Sequence, residues 1–516
     1  MHDILIRGGT IIDGSGDKRY EADVAINDGK ITEIGELSDD EAREIINADG
    51  LCVAPGFIDI SNRSDTRWRL FKDPHLESLL HQGITTIIGG NSGSSLAPIY
   101  SEDMLQSMRK WVDVDNVNVN WQNVEGLLKV LEEHKLSVNF GMFVGYGTLR
   151  RGLIGDENRE LTNTEQISIE KHIVESLDQG ALGVSTGLIY SHERNIKSIE
   201  LIKLAKLIAK NKSIYIAHLR NEDNELLKSI DEVLEIQNET KAKIHISHLK
   251  ASGKKNWSQM DEALKKIEKT DIIFDIYPYT FSTTVLYTLL PDWVSDGGKR
   301  MMLERLRNKK LRQRVVDEMN QGIDLSFGVV AHTMRSDYFC GKSFMEIAHI
   351  QNSTVNDAVI DVLLASDGQV DIFLESVSVE NIMKGLRSTN SVISSNGTGY
   401  SIQTRNECME HPRSFGAFPR IISQYVVNKK VLKLEDVIYK ISGKVAQELN
   451  IEDRGLLKEG LMADIVIFDL NKFQDNSTLE QPYKYATGLY SLIVNGQITI
   501  KYGKYTGLRA GQIIRR

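Results

Sequence analysis

"SIYIAHLR" at residues 213–220 and "KIHISHLK" at residues 243–250 decide the fold. Each is a short apolar run that closes on a histidine, His218 in the first and His248 in the second. A run of this length bounded by polar residues reads as a buried strand. Between the two, Leu226, Ile230, Val233 and Leu234 recur at helical spacing, so a helix that covers one strand leads into the next. Strand, amphipathic helix, strand is the repeating unit of a parallel sheet. Working outward, strands of the same kind stand at "LCVAPGFIDI" (51–60), "TTIIGG" (85–90), "VNFGMFVGYG" (138–147), "ALGVSTGLIY" (181–190), "DIIFDIYPYT" (271–280) and "NSVISSNG" (390–397). Thr162 with Glu165 predicts a capping box ahead of the stripe Ile169, Ile173, Val174 and Leu177. Eight strands alternating with helices predict an α/β chain whose residues 55–454 form a (β/α)8 barrel.

The two ends follow another grammar. "DILIRGGTIID" (3–13), "DVAINDGKITEIG" (23–35), "ADIVIFD" (463–469) and "YSLIVNGQITIKYGKYTG" (490–507) alternate apolar and polar residues at period two. Their "NDG" and "NG" pairs are hairpin turns. Residues 1–54 and 455–516 are therefore expected to build one small β-sandwich domain. More than a hundred residues separate the last two barrel strands, and "KRMMLERLRNKKLRQRVVDEM" (299–319) within them is helical in pattern. That is far too long for an ordinary connection, so residues 285–345 are expected to form an inserted subdomain over the barrel mouth.

Composition narrows the functional classes. A chain of 516 residues exceeds what one hydrophobic core usually holds. A net charge of −9 without a Lys/Arg block excludes a nucleic-acid or anionic-membrane surface. Neither a bilayer-length apolar run nor a secretory leader is present, which predicts a cytoplasmic protein with a small-molecule partner and leaves its oligomeric state open. Cys52, Cys340 and Cys408 are scattered and odd in number, so they form neither a disulfide framework nor a zinc knuckle.

In such a barrel the chemistry collects at the C-terminal ends of strands, where His218 and His248 converge. His245, on the strand itself, reads as packing. The motifs "APGFID" (54–59), "GALGVSTGLIY" (180–190), "AHLRNE" (217–222), "HISHLKASG" (245–253), "YPYT" (277–280), "HPRSFGAFPR" (411–420), "DRGLLKEGLMADIVIFD" (453–469) and "VNG" (494–496) extend this reading. Taken in order, they resemble the N-acyl-D-amino-acid deacylase (D-aminoacylase) branch of the amidohydrolase superfamily. The resemblance implies an amidohydrolase-type barrel, a β-sandwich from both chain ends, a zinc-bound water, and hydrolysis of the amide in an N-acyl-D-amino acid.

Carried over residue by residue, the resemblance loses four metal-ligand or base positions. The family's first-strand His-X-His falls on Ser61 and Arg63, its cysteine ligand on Ser92, and its catalytic aspartate on Asn396. Tyr146 also stands where histidine is usual. His218 and His248 remain as metal ligands, and Tyr277, Thr283 and Arg413 stand at or near positions that grip the substrate carboxylate. Catalytic zinc normally takes three protein ligands, and serine replaces thiolate poorly. No cofactor is therefore expected, with zinc held weakly by His218 and His248 if at all. On this reading His218, His248, Arg63 and Asn396 are the catalytic positions, and Tyr277, Thr283, Arg413, Ser92, Tyr146 and Lys250 bind the substrate. Arg63 either supplies a fixed cation or pairs with Asp59 or Asp65 at the strand end. Three functions follow: altered, metal-independent and non-hydrolytic chemistry on an N-acyl amino acid or related amide bearing a carboxylate; an inactive pseudoenzyme serving as ligand sensor or assembly subunit; and a one-zinc hydrolase with an unrecognised third ligand.

Overall fold

The computed structural model describes the chain except residues 38–39, 102–103, 105–118, 158, 321, 323, 334–336 and 405–408. Cys408 lies outside the described residues. The eight barrel strands are β1 (Phe57–Asp59), β2 (Ile84–Gly89), β3 (Asn139–Gly145), β4 (Gly183–Gly187), β5 (Ile214–His218), β6 (Lys243–Ile246), β7 (Ile273–Ile276) and β8 (Ser391–Ile393). They pair in chain order in one eight-stranded parallel sheet. β8 returns to β1 through side chains: Ser395 N–H and Oγ–H donate to the Asp59 carboxylate, and Arg63 N–H donates to Gly397 O. The barrel is thus closed by the segments that follow its first and last strands.

The helices form because their apolar residues share one stripe. Ile169, Ile173 and Leu177 are buried along Asn163–Asp178, and Leu226, Ile230 and Val233 along Leu226–Thr240. The capping box at Thr162 is present, with the Glu165 side chain accepting the Thr162 N–H. Replacing such a cap typically costs about 1 kcal/mol.

The chain ends form a single nine-stranded sheet, built from strands within His2–Pro55 and Ile465–Tyr505. Both hairpin turns place two successive residues at positive φ, Asp28 and Gly29 in one and Asn495 and Gly496 in the other. That backbone matches strand twist, and few side chains other than those of Asn, Asp and Gly accept it. The two turns meet where Lys30 bridges Met462, so the sheet rolls back over a shared core that includes Ile4, Ile26, Ile465 and Ile493. This sheet is the β domain expected from the two chain ends.

The insert is larger than the span 285–345. A three-stranded antiparallel sheet joins Phe281–Val285, Val329–Thr333 and Val370–Glu375 around its own apolar cluster, which includes Leu286, Leu303, Phe344 and Ile372. Its last strand pairs with its first, which carries the insert on to Glu375.

Candidate active site

The C-terminal ends of the barrel strands enclose a cavity of about 310 Å³. Arg63, His218, His248, Tyr277, Asn396 and Arg413 line it from the barrel, and Ser282, Thr283 and Leu374 from the insert. Most of this wall is polar, as a site that orients a charged ligand requires.

The substituted positions are joined to one another. Arg63 Nε donates to Asn396 Oδ1 at 2.8 Å, and its Nη2 donates to Ser92 Oγ at 3.3 Å. Ser92 Oγ in turn lies 3.0 Å from His218 Nδ1. The arginine side chain therefore threads between β8 and β2 to reach the histidine at the end of β5. Of the two carboxylates expected to pair with it, Asp59 is occupied by Asn62 and Ser395, and Asp65 accepts the Gly90 N–H while lying within the guanidinium's field. Ser92 sits in a tight turn at φ 55°, beside Gly93, where a Cβ would fall 2.0 Å from Glu193 Oε1. His248 (φ 35°) and Asn396 (φ 47°) also adopt left-handed backbone. Strained conformations of this kind persist where surrounding structure enforces them, and they cluster at functional sites.

A donor outside the predicted site joins the histidines. Glu222, in the loop after β5, places Oε1 3.1 Å from His248 Nδ1 and 3.8 Å from His218 Nε2. The ligand atoms of His218, Glu222 and His248 lie within 4.8 Å of one another, and all three residues are buried. Lys250 Nζ donates to Glu222 Oε1 at 2.6 Å and lies 3.0 Å from His248 Nδ1, so these atoms already surround a positive charge. His218 Nε2 has no hydrogen-bond partner among the described residues. Two imidazoles and one carboxylate form a donor set that catalytic zinc uses. The residues present therefore fit a divalent ion.

Burial holds both imidazoles well below the usual histidine range, His218 with help from neighbouring His248 and His248 with help from Lys250. They are neutral, the state a ligand needs. His245 lies outside the cavity lining, and its Nε2–H donates to Asp275, which also accepts the His248 N–H. Tyr146 stands behind the cavity rather than in it, with its hydroxyl donating to Glu200 at 2.7 Å. Its placement at the start of helix Tyr146–Ile154 turns it toward helix Ser198–Lys210, which argues against substrate contact.

On the opposite wall Arg413 is 5 % exposed, and its guanidinium lies 5.0 Å from the centroid of the Tyr277 ring. Its Nε and Nη1 find no hydrogen-bond partner among the described residues, nor does Thr283 Oγ1. Burial lowers the Arg413 pKa to about 10. A buried guanidinium in this state is built to receive an anion. His411 fixes its backbone: Nδ1 accepts the Arg413 N–H, and Nε2–H donates to Phe281 O.

These buried imidazoles give stability a pH dependence. His81 is lowered to about 4 and His411 well below its usual value, in both cases chiefly by burial. Below an unfolded pKa of about 6.5 the unfolded chain takes up protons that the fold refuses, so stability is lost as pH falls. Asp59 and Asp65, raised by burial to about 6, act in the opposite sense between about 6 and 4. Glu448 and Asp464 are also raised by burial and His134 and His332 also lowered by it, so that with His218 and His248 the imidazoles outnumber the carboxylates. The melting temperature is expected to fall from pH 7 to pH 5. His81→Asn should remove about 1.4 kcal/mol per pH unit of that slope, readable from melts across the range.

A parallel barrel with imidazole and carboxylate donors at its C-terminal mouth, partly roofed by an insert, is an architecture of the amidohydrolase type. The chain belongs to the amidohydrolase family, whose model matches residues 44–500. It is 28 % identical over 518 residues to a D-aminoacylase of Alcaligenes xylosoxydans xylosoxydans, covering 100 % of this chain and 98 % of that protein. Among solved structures it superposes on an N-acyl-D-glutamate deacylase of Bordetella bronchiseptica, complexed with zinc and a phosphonate mimic of the tetrahedral intermediate, with TM-score 0.84 and 25 % identity over 100 % of both chains. A D-aminoacylase with a binuclear metal centre, described by one-metal activation and second-metal attenuation, matches with TM-score 0.83 and 26 % identity over the same coverage. These metal-containing relatives overturn the expectation that no cofactor is needed. That expectation fails because it counts ligands only at positions carried over from the family. The spacing His218-Leu-Arg-Asn-Glu222 is the sequence signal that could have exposed the third donor.

Proposed function

We propose that this protein hydrolyses the amide bond of an N-acyl-D-amino acid, using divalent metal held at His218, His248 and Glu222. The observation that carries the reading is the convergence in one cavity of that donor set with a buried Arg413 whose Nε and Nη1 have no hydrogen-bond partner among the described residues. When bound, the metal supplies Lewis acidity that polarises the scissile carbonyl and acidifies water. The D-specific substrate follows the names of the similar proteins, two of which act on acidic amino acids.

The chain's own residues do the rest. Arg413, braced by the Tyr277 ring, pairs with the substrate carboxylate, and the Thr283 hydroxyl, which lines the same cavity without a hydrogen-bond partner among the described residues, is available to it. Holding the carboxylate there turns the acyl carbonyl toward the imidazoles, which makes the attack effectively unimolecular. Arg63 faces the carbonyl oxygen and stabilises the charge that develops on it, as a permanently protonated donor can. Asn396 cannot accept a proton, and Lys250, whose ammonium is held by Glu222, is placed to give a proton to the departing amine. A cytoplasmic setting, in which Cys52 and Cys340 stay free thiols, belongs to the same proposal.

The test is to incubate zinc-loaded protein with a panel of N-acyl-D- and N-acyl-L-amino acids, acidic and neutral, and to measure free amino groups. Release from D substrates is expected. A panel with no turnover on either stereoisomer would instead favour an inactive pseudoenzyme.

A further inference from the structure

We infer that this site is rebuilt to hold a single divalent ion, with Glu222 as the replacement third ligand and the Arg63 guanidinium as a permanent second cation. The inference rests on the proposed metal-dependent function and adds to it the number of ions and the residues that set that number. Among the described residues, His218, Glu222 and His248 are the one group of three donors placed to share an ion. His218 Nδ1 is engaged with Ser92 Oγ at 3.0 Å, which leaves Nε2, the buried atom that lacks a hydrogen-bond partner among the described residues, 3.8 Å from Glu222 Oε1. A hydrogen bond at one ring nitrogen fixes which nitrogen serves as ligand. Ser92 thus becomes a positioning residue for the imidazole.

Arg63 accounts for the count of one. Its guanidinium is tied on one side to Asn396 and on the other to the same Ser92 oxygen that meets His218, so a fixed positive charge stands one hydroxyl away from the first ligand. Lys250 adds a second positive charge against Glu222. A second divalent ion would meet both cations, and the nearby Asp59 and Asp275 carboxylates are already committed to Ser395 and to His245 and Ser394. In the similar D-aminoacylase a second metal attenuates activity. Arg63 confers the charge of that second ion without an exchangeable site.

Zinc per protein chain, measured by elemental analysis after equilibration with excess zinc and desalting, is expected to be one. Activity should not fall as free zinc rises from one to ten equivalents. Two bound equivalents, or attenuation by excess zinc, would overturn the role given to Arg63 and leave the deacylase reading intact. No bound zinc, together with chelator-resistant turnover, would overturn both. Glu222→Gln should weaken zinc binding, followed by competition with a chromogenic chelator, by about 10- to 100-fold. Lys250→Met should tighten it by about tenfold, because the ammonium no longer competes for Glu222. Unchanged affinity in both variants would remove Glu222 from the ligand set. Arg63→Met should lower kcat by about 10²-fold with KM nearly unchanged, and Arg63→Lys should recover part of the loss. If the methionine variant does not fold, the stoichiometry of the native protein still decides the matter.

Discussion

With His218 and His248 both changed to asparagine, the protein is expected to bind no zinc and to lose deacylation by at least about 10⁴-fold. The size follows from what the two imidazoles make possible. Lowering the pKa of water from about 15.7 to about 7 is worth roughly 12 kcal/mol in favour of hydroxide, whereas one positioned acid or base contributes about 10² to 10⁴ in rate. No other pair in the cavity can make good that difference, since Glu222 alone is a single carboxylate already shared with Lys250. Both rings are buried and neutral, and asparagine retains a polar group of smaller volume, so the fold should persist. Circular dichroism and a melting curve establish that, and turnover with elemental analysis reads the effect. A double variant that keeps native turnover would show that the imidazoles take no part in the chemistry.

Arg413→Met is the second large effect, and its two readouts move in opposite directions. Removing the guanidinium takes the carboxylate partner from the substrate, which typically costs about 2–5 kcal/mol, or roughly one and a half to three and a half orders of magnitude in kcat/KM. Yet the native protein buries this cation with Nε and Nη1 unpartnered, at a desolvation cost that methionine does not carry. The melting temperature of the variant should therefore equal or exceed that of the native protein. Steady-state kinetics on N-acyl-D-amino acids and on the matching amides without a carboxylate separate the two effects. The variant should lose its advantage on the acid and be little changed on the neutral amide. A lower melting temperature together with an unchanged kcat/KM would make Arg413 a structural residue.

All eight barrel strands, both "NG" and "NDG" hairpins and the Thr162 capping box are legible in the amino-acid sequence, because each depends on residues within about a dozen positions of one another. His218 and His248 are legible for the same reason, as the last polar residues of two apolar runs. The insert is visible as an overlong connection, but its end at Glu375 is not, since that boundary is a pairing between Phe281–Val285 and Val370–Glu375. The resemblance puts Tyr146 among the substrate-binding positions, whereas the structure turns its hydroxyl to Glu200.

The sequence by itself determined the barrel, the pairing of both chain ends in one β domain, and the two imidazoles at the mouth, because local periodicity and turn chemistry specify elements and their order. Only the tertiary structure decided that Glu222 completes a donor set and that Arg63 reaches Ser92 and Asn396. These contacts join residues 29 and 333 positions apart in the chain. Side chains so separated meet only when a closed sheet brings the ends of different strands to one face, and no local pattern encodes that convergence.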